Sequence, residues 1–166
     1  MKYYITIFIL IATNITLFSQ FGASISGSTE KFGGIDVYYD AKILRIHIGF
    51  SAQLNGQKRK VVSEREANYG LSRLNDGDFI SAFEIGVSKL ISERFTIGGS
   101  INIATKKYFT NYRDERFSDG GYSLINRRES IIGGGVNLGY LLSNKFEIFL
   151  GFNTIKKLEG GMRFNF

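Results

Sequence analysis

The sequence contains no proline and no cysteine, and only one histidine. Without cysteine there is no disulfide, no thiolate nucleophile, no zinc–thiolate site and no lipid-modified N-terminal cysteine. The lone histidine, His47, has no clustered carboxylates around it in sequence and offers too few ligands for a metal. A water-soluble α/β enzyme of this length would carry several prolines in its loops. Charge of one sign is also sparse: the formal net charge is +6, and it is scattered with no basic stripe on one element, so no nucleic acid is expected as a partner. Beyond the first residues, no segment is apolar enough to cross a membrane as a helix.

What the chain does have is 20 glycines, 15 phenylalanines and 9 tyrosines among many β-branched residues, an all-β composition. Its length suits one domain. Residues 1–19 carry Lys2, an apolar run from Ile5 to Ala12 and a more polar end closing on Ser19. That is the three-part layout of a secretory signal peptide, with cleavage expected near Ser19–Gln20 and a mature domain over 20–166. Asn14 and Thr16 argue against an uncleaved anchor.

From Gln20 onward the chain alternates with period two, the signature of strands whose two faces differ in chemistry. Eight strands are expected, at Phe21–Gly27, Gly34–Tyr39, Leu44–Gln53, Phe83–Ser88, Phe95–Ala104, Gly135–Tyr140, Phe146–Asn153 and Leu158–Phe166. Short turns are expected at Asp40–Ala41, Ser92–Glu93 and Ser143–Asn144, and long polar stretches at Asn55–Asp78 and Lys106–Arg128. Tight turns at one end of the sheet and long connections at the other are the asymmetry of an outer-membrane barrel. The octet Leu90–Ile97 repeats at Leu141–Ile148, and both copies fall on tight turns.

Period two does not say which face is inside; composition does. One face holds Arg45, His47, Glu84, Glu147, Glu159 and Arg163 among glycine, serine and asparagine. Small residues suit the crowded interior of a narrow barrel, and opposite charges can pair there. The other face is bulky and aromatic, awkward inside eight strands and at ease in lipid. A sheet in hydrocarbon must close on itself, because each unpaired backbone group there costs several kcal/mol.

The signal peptide, the alternating strands and the final Gly161-Met162-Arg163-Phe164-Asn165-Phe166 together resemble the OmpA- and OmpX-like family of small outer-membrane barrels. The resemblance implies an eight-stranded antiparallel up-and-down transmembrane β-barrel. It also implies that Leu158, Met162, Phe164 and Phe166 are read by the barrel-insertion machinery. Members of such a family serve as tethers, adhesins or lipid-modifying enzymes, so the fold alone chooses no function.

The chemistry-bearing residues favour a non-enzymatic reading. His47 lacks the Ser or Asp partner that a general base needs, and is expected to sit in a luminal hydrogen-bond network. The inner charges are expected to pair and seal the lumen, against the alternative of a small pore. Gly133-Gly134-Gly135 lacks the Lys-Ser/Thr of a phosphate loop and suits strand curvature. Lys58, Arg59, Lys60, Arg127 and Arg128 are candidate lipopolysaccharide contacts, since such side chains bind phosphate well. The aromatics of the 106–128 stretch suggest strands that continue beyond the membrane. The expected product is a monomeric structural or surface-interaction barrel without cofactors, contacting outer-membrane lipid and surface ligands through its loops. The rivals are a membrane-embedded lipid- or peptide-modifying enzyme and a secreted soluble barrel holding a small apolar ligand.

Overall fold

Strict alternation leaves each strand with one face too apolar for water and one too polar for lipid, and the chain resolves this by closing into a ring. The computed structural model describes residues 20–41, 44–54, 59–62 and 72–166. The expected signal segment therefore lies outside the described residues. The strands are β1 (Phe21–Ser28), β2 (Phe32–Asp40), β3 (Arg45–Gln53), β4 (Lys60–Val62), β5 (Ser72–Leu90), β6 (Phe95–Arg113), β7 (Gly121–Ser143), β8 (Phe146–Asn153) and β9 (Lys157–Asn165).

All but β4 form an antiparallel ring of eight strands in chain order. The ring closes where β1 meets β9, from Gly22↔Asn165 to Ser28↔Glu159. All the predicted strands are present, but three are far longer than alternation suggested. β5 starts at Ser72, not Phe83, and β6 and β7 fill most of the 106–128 stretch. Continuation of the strands through that stretch was expected from its aromatics; the early start of β5 was not. Residues 72–82 are mixed in polarity on both faces, so period two fades although the ladder to β6 continues up to Arg113. β4 was missed because three residues hold no readable period; it pairs parallel with Lys60↔Tyr122 to Val62↔Leu124 on β7.

The barrel therefore has a low wall and a high one. Strands β1, β2, β3, β8 and β9 have 8 or 9 residues, whereas β5 and β6 have 19 and β7 has 23. Above the low rim, β5, β6 and β7 stand as an open sheet, with β4 along part of the edge of β7.

Side chains divide cleanly between the faces. In β3 Arg45, His47, Gly49 and Ser51 are buried while Ile46, Ile48 and Phe50 are exposed. In β8 Glu147, Phe149, Gly151 and Asn153 are buried while Ile148, Leu150 and Phe152 are exposed. A soluble ligand-binding barrel would require the opposite arrangement. On β6 the outward apolar residues run from Phe95 to Ile103. At about 3.3 Å per residue and a tilt near 40°, this spans roughly 20 Å, close to the apolar band of an outer-membrane barrel. Three aromatic pairs ring the turn end: Phe21–Tyr39, Phe95–Tyr140 and Phe146–Phe164, with ring centroids 5.2, 5.1 and 5.2 Å apart.

Candidate functional site

The lumen is filled by pairing large side chains with glycine across neighbouring strands. Tyr38 lies directly opposite Gly22 and Phe149 opposite Gly161. A Cβ on Gly161 would collide with the Ile25 carbonyl oxygen and come within 2.7 Å of the Phe149 ring, so the neighbouring backbone and that ring together occupy the space a side chain would need. His47 lies over its partner Gly86 in the same way. Small residues and large ones thus fit the narrow interior as matched pairs.

The inward charges fall into two clusters. Near the turn end, Glu147 is 1% exposed and accepts hydrogen bonds from Arg45 at 2.5 Å, Arg163 at 2.5 Å and Thr96 at 2.7 Å. Arg45 also pairs with Asp40 at 3.0 Å and lies over the Tyr38 ring, 4.5 Å from its centroid. Arg163 donates to Asn137 at 3.0 Å and stacks 4.2 Å from the Phe149 centroid. Thr96 and Glu147 occupy equivalent positions of the repeated octet, which therefore bonds its two copies to each other across the barrel.

Higher up, Lys156 lies between two carboxylates, 2.7 Å from Glu84 and 2.5 Å from Glu159. Glu84 also meets His47 Nε2 at 3.3 Å. Nearby, Ser24 donates to Asp36 at 2.5 Å. All six residues proposed from sequence for the inner face lie there buried, and the structure splits them between these clusters. Sequence reasoning missed Lys156, Asp36, Asp40, Asn137 and Thr96. Lys156 sits in the β8–β9 turn, where a lysine reads as solvated, yet only 5% of it is exposed. A signal was available: three inner carboxylates, Glu84, Glu147 and Glu159, faced only two inner arginines, Arg45 and Arg163.

Between the clusters the free space is about 10 Å³, bounded by Asp36, His47, Glu84, Lys156, Glu159 and Arg163 among others. That is at most about one water. Below it, at the turn end, a vestibule of about 280 Å³ opens beside Asp40, Arg45, Ser88 and Thr96. His47 is 6% exposed and has Glu84 as its polar partner, within the lower half of β3 and away from both rims.

The high wall carries its own small core. Tyr122 is fully buried, stacked on Tyr112 at 5.4 Å and tilted against Phe117 at 5.4 Å. The Lys60 ammonium lies 5.5 Å from the Phe117 centroid. The inner face of the wall is cross-linked by Lys106–Asp78 at 2.8 Å, Tyr108 hydroxyl to Glu129 at 2.8 Å, and Thr110 hydroxyl to Asp76 at 2.6 Å. The Thr110 hydroxyl and Arg73 hold the Asp76 carboxyl below its ordinary value of 3.8.

Of the basic residues proposed for lipid contact, Lys58 lies outside the described residues. Arg59 donates to the Tyr112 carbonyl at 3.3 Å, and Arg127 pairs with Glu129. Arg128 is exposed on β7. These residues do not form one cluster. Leu158, Met162, Phe164 and Phe166 all face outward, 37–69% exposed.

No family model and no curated protein matches the chain. Among solved structures it is similar to Neisserial surface protein A, with a TM-score of 0.51 at 10% identity, over 88% of this chain and 94% of that one. It is also similar to Ail, the attachment invasion locus protein of Yersinia pestis, with a TM-score of 0.43 at 10% identity, over 86% and 88% of the two chains. The first likeness establishes the fold, that of a small eight-stranded outer-membrane β-barrel.

Proposed function

We propose that this protein is a non-conducting outer-membrane barrel whose role is structural and interactive: it anchors a rigid three-stranded platform at the cell surface. One observation carries the reading, the inversion of the faces. Apolar side chains such as Ile35, Val37, Ile101 and Val136, each more than half exposed, cover the outside, while the charged groups are buried and paired within. So large an apolar surface is incompatible with solution as a monomer and matches the hydrocarbon of a bilayer. The tight turns and both ends of the barrel domain then face the periplasm, and the high wall faces outward. The terminal strand, with Leu158, Met162, Phe164 and Phe166 outward, is the segment offered to the insertion machinery. The paired lumen supports sealing, because a conducting path would need a continuous aqueous gap where about 10 Å³ is free.

The test is fractionation of cells expressing the full chain, followed by electrophoresis with and without heating. The protein is expected in the outer membrane, with the unheated form migrating differently from the heated one. Recovery from the periplasm or medium in soluble form would overturn the reading.

A further inference from the structure

The outer surface of the high wall carries a second pattern, set by register. Phe83, Ile103 and Ile132 are directly opposed across β5, β6 and β7 and form an exposed apolar row on the outside. One row higher are three hydroxyls, Ser81, Thr105 and Ser130. One row higher again are Phe79, Lys107 and Arg128. Lys107 and Arg128 are therefore direct cross-strand partners on one face.

Two cations directly opposite each other repel and destabilise a ladder. The neighbouring acids do not relieve this, because Asp78 and Glu129 point to the inner face and pair there with Lys106 and Arg127. Among the described residues, no carboxylate pairs with Lys107 or Arg128. The arrangement is costly in the isolated protein and favourable around an anion.

Height identifies the anion. From Phe95 at the lower girdle to Lys107 is twelve residues along β6. At about 3.4 Å each and a tilt near 40° this is roughly 30 Å, above a hydrocarbon band of about 25 Å and level with the far headgroups. A phosphate there would meet a planar guanidinium able to bind two oxygens and an ammonium acting as a point charge. The hydroxyl row beneath suits ester and sugar oxygens, and the apolar row beneath that suits acyl chains.

We propose that Lys107 and Arg128 form a clamp for the phosphate of an outer-leaflet phosphorylated glycolipid lying against the β5–β7 face. The clamp rests on the outer-membrane reading above, since only that orientation puts this row among outer-leaflet headgroups. It takes up one residue of the basic set considered from sequence, Arg128, and adds Lys107, whose partner only the register reveals.

The experiment uses the purified full-length barrel in neutral detergent, titrated with a diphosphorylated glucosamine lipid and with the same lipid after enzymatic dephosphorylation. A Lys107→Thr/Arg128→Thr variant is compared with Lys89→Thr/Lys145→Thr, which removes the same charge at the opposite end. The clamp predicts binding weakened roughly tenfold or more by the first pair, little affected by the second, and comparably weakened by dephosphorylation. Equal binding by both variants, or indifference to the lipid phosphate, would overturn it. Full competition by millimolar inorganic phosphate would also overturn it, by assigning the site to free anion. Heat-dependent gel mobility is read on every variant. A variant that retains the mobility shift but binds lipid normally refutes the clamp alone, whereas loss of the shift from the unmodified protein refutes the barrel reading.

Discussion

Glu147 shows how much a single side chain can hold in this lumen. It receives two arginines and a threonine, and no solvent reaches it to replace them. Truncating one member of a buried charge network leaves the others uncompensated. Glu147→Ala is expected to cost about 3–5 kcal/mol. The measurement is urea unfolding in lipid vesicles, followed by gel mobility because the chain has no tryptophan to report. Lys156→Met, which strands Glu84 and Glu159 together, belongs in the same range. His47→Ala is different: Glu84 keeps Lys156, so the loss is that of one hydrogen bond, about 1 kcal/mol, with no change in surface phenotype. A His47→Ala barrel as unstable as the Lys156→Met one would mean that the histidine, not the lysine, organises the upper cluster. Gly161 is the steric counterpart. A valine there would collide with the Ile25 carbonyl of β1 as well as with Phe149, and overpacking of about 1–3 kcal/mol is expected in the same assay.

Among the elements, β5, β6 and β7 serve two environments in one continuous ladder. Their lower halves pair within the ring, and their upper halves depend on one another and on the Tyr112–Tyr122–Phe117 cluster. The two parts should fail separately. Tyr122→Ala is expected to open the upper sheet to protease while leaving the heat-dependent mobility of the trimmed barrel intact. Loss of both together would show a single cooperative unit. The upper sheet also has an acid limit. Asp76 is depressed in the folded state, so its contribution is present above about pH 3.8 and is lost as the pH falls through its lower folded value. Protease resistance of the upper sheet should decline on that acid side first, and Asp76→Asn should remove this part of the pH dependence.

For the molecule as a whole, function depends on closure and insertion. The ring leaves no unpaired edge in the apolar band, because β1 and β9 meet over their full length. Phe166, 69% exposed at the end of the outward face of β9, is expected to matter for assembly more than for stability. Phe166→Ser should lower the amount of protein recovered in the outer membrane, while the variant refolded into detergent keeps a near-normal unfolding midpoint. Unchanged assembly in cells would remove the terminal aromatic from the insertion signal. In planar bilayers the lumen is expected to show no stable openings, and regular conductance steps would contradict a sealed interior.

Period-two alternation determined the all-β class and the eight strands of the ring, and the composition of the two faces determined which is inside and which outside. Arg45, His47, Glu84, Glu147, Glu159 and Arg163 could be placed inward because strand geometry converts parity in sequence directly into a face. Parity says nothing about partners across the barrel. The sharing of Glu147 by Arg45 and Arg163, the burial of the turn residue Lys156 between two carboxylates, and the opposition of Lys107 and Arg128 all depend on which strands neighbour each other and in what register. Nor does parity show how high a strand continues once both its faces turn mixed, as in the upper part of β5. Those relations belong to closure of the ring, where residues more than a hundred positions apart become neighbours, and only the tertiary structure decided them.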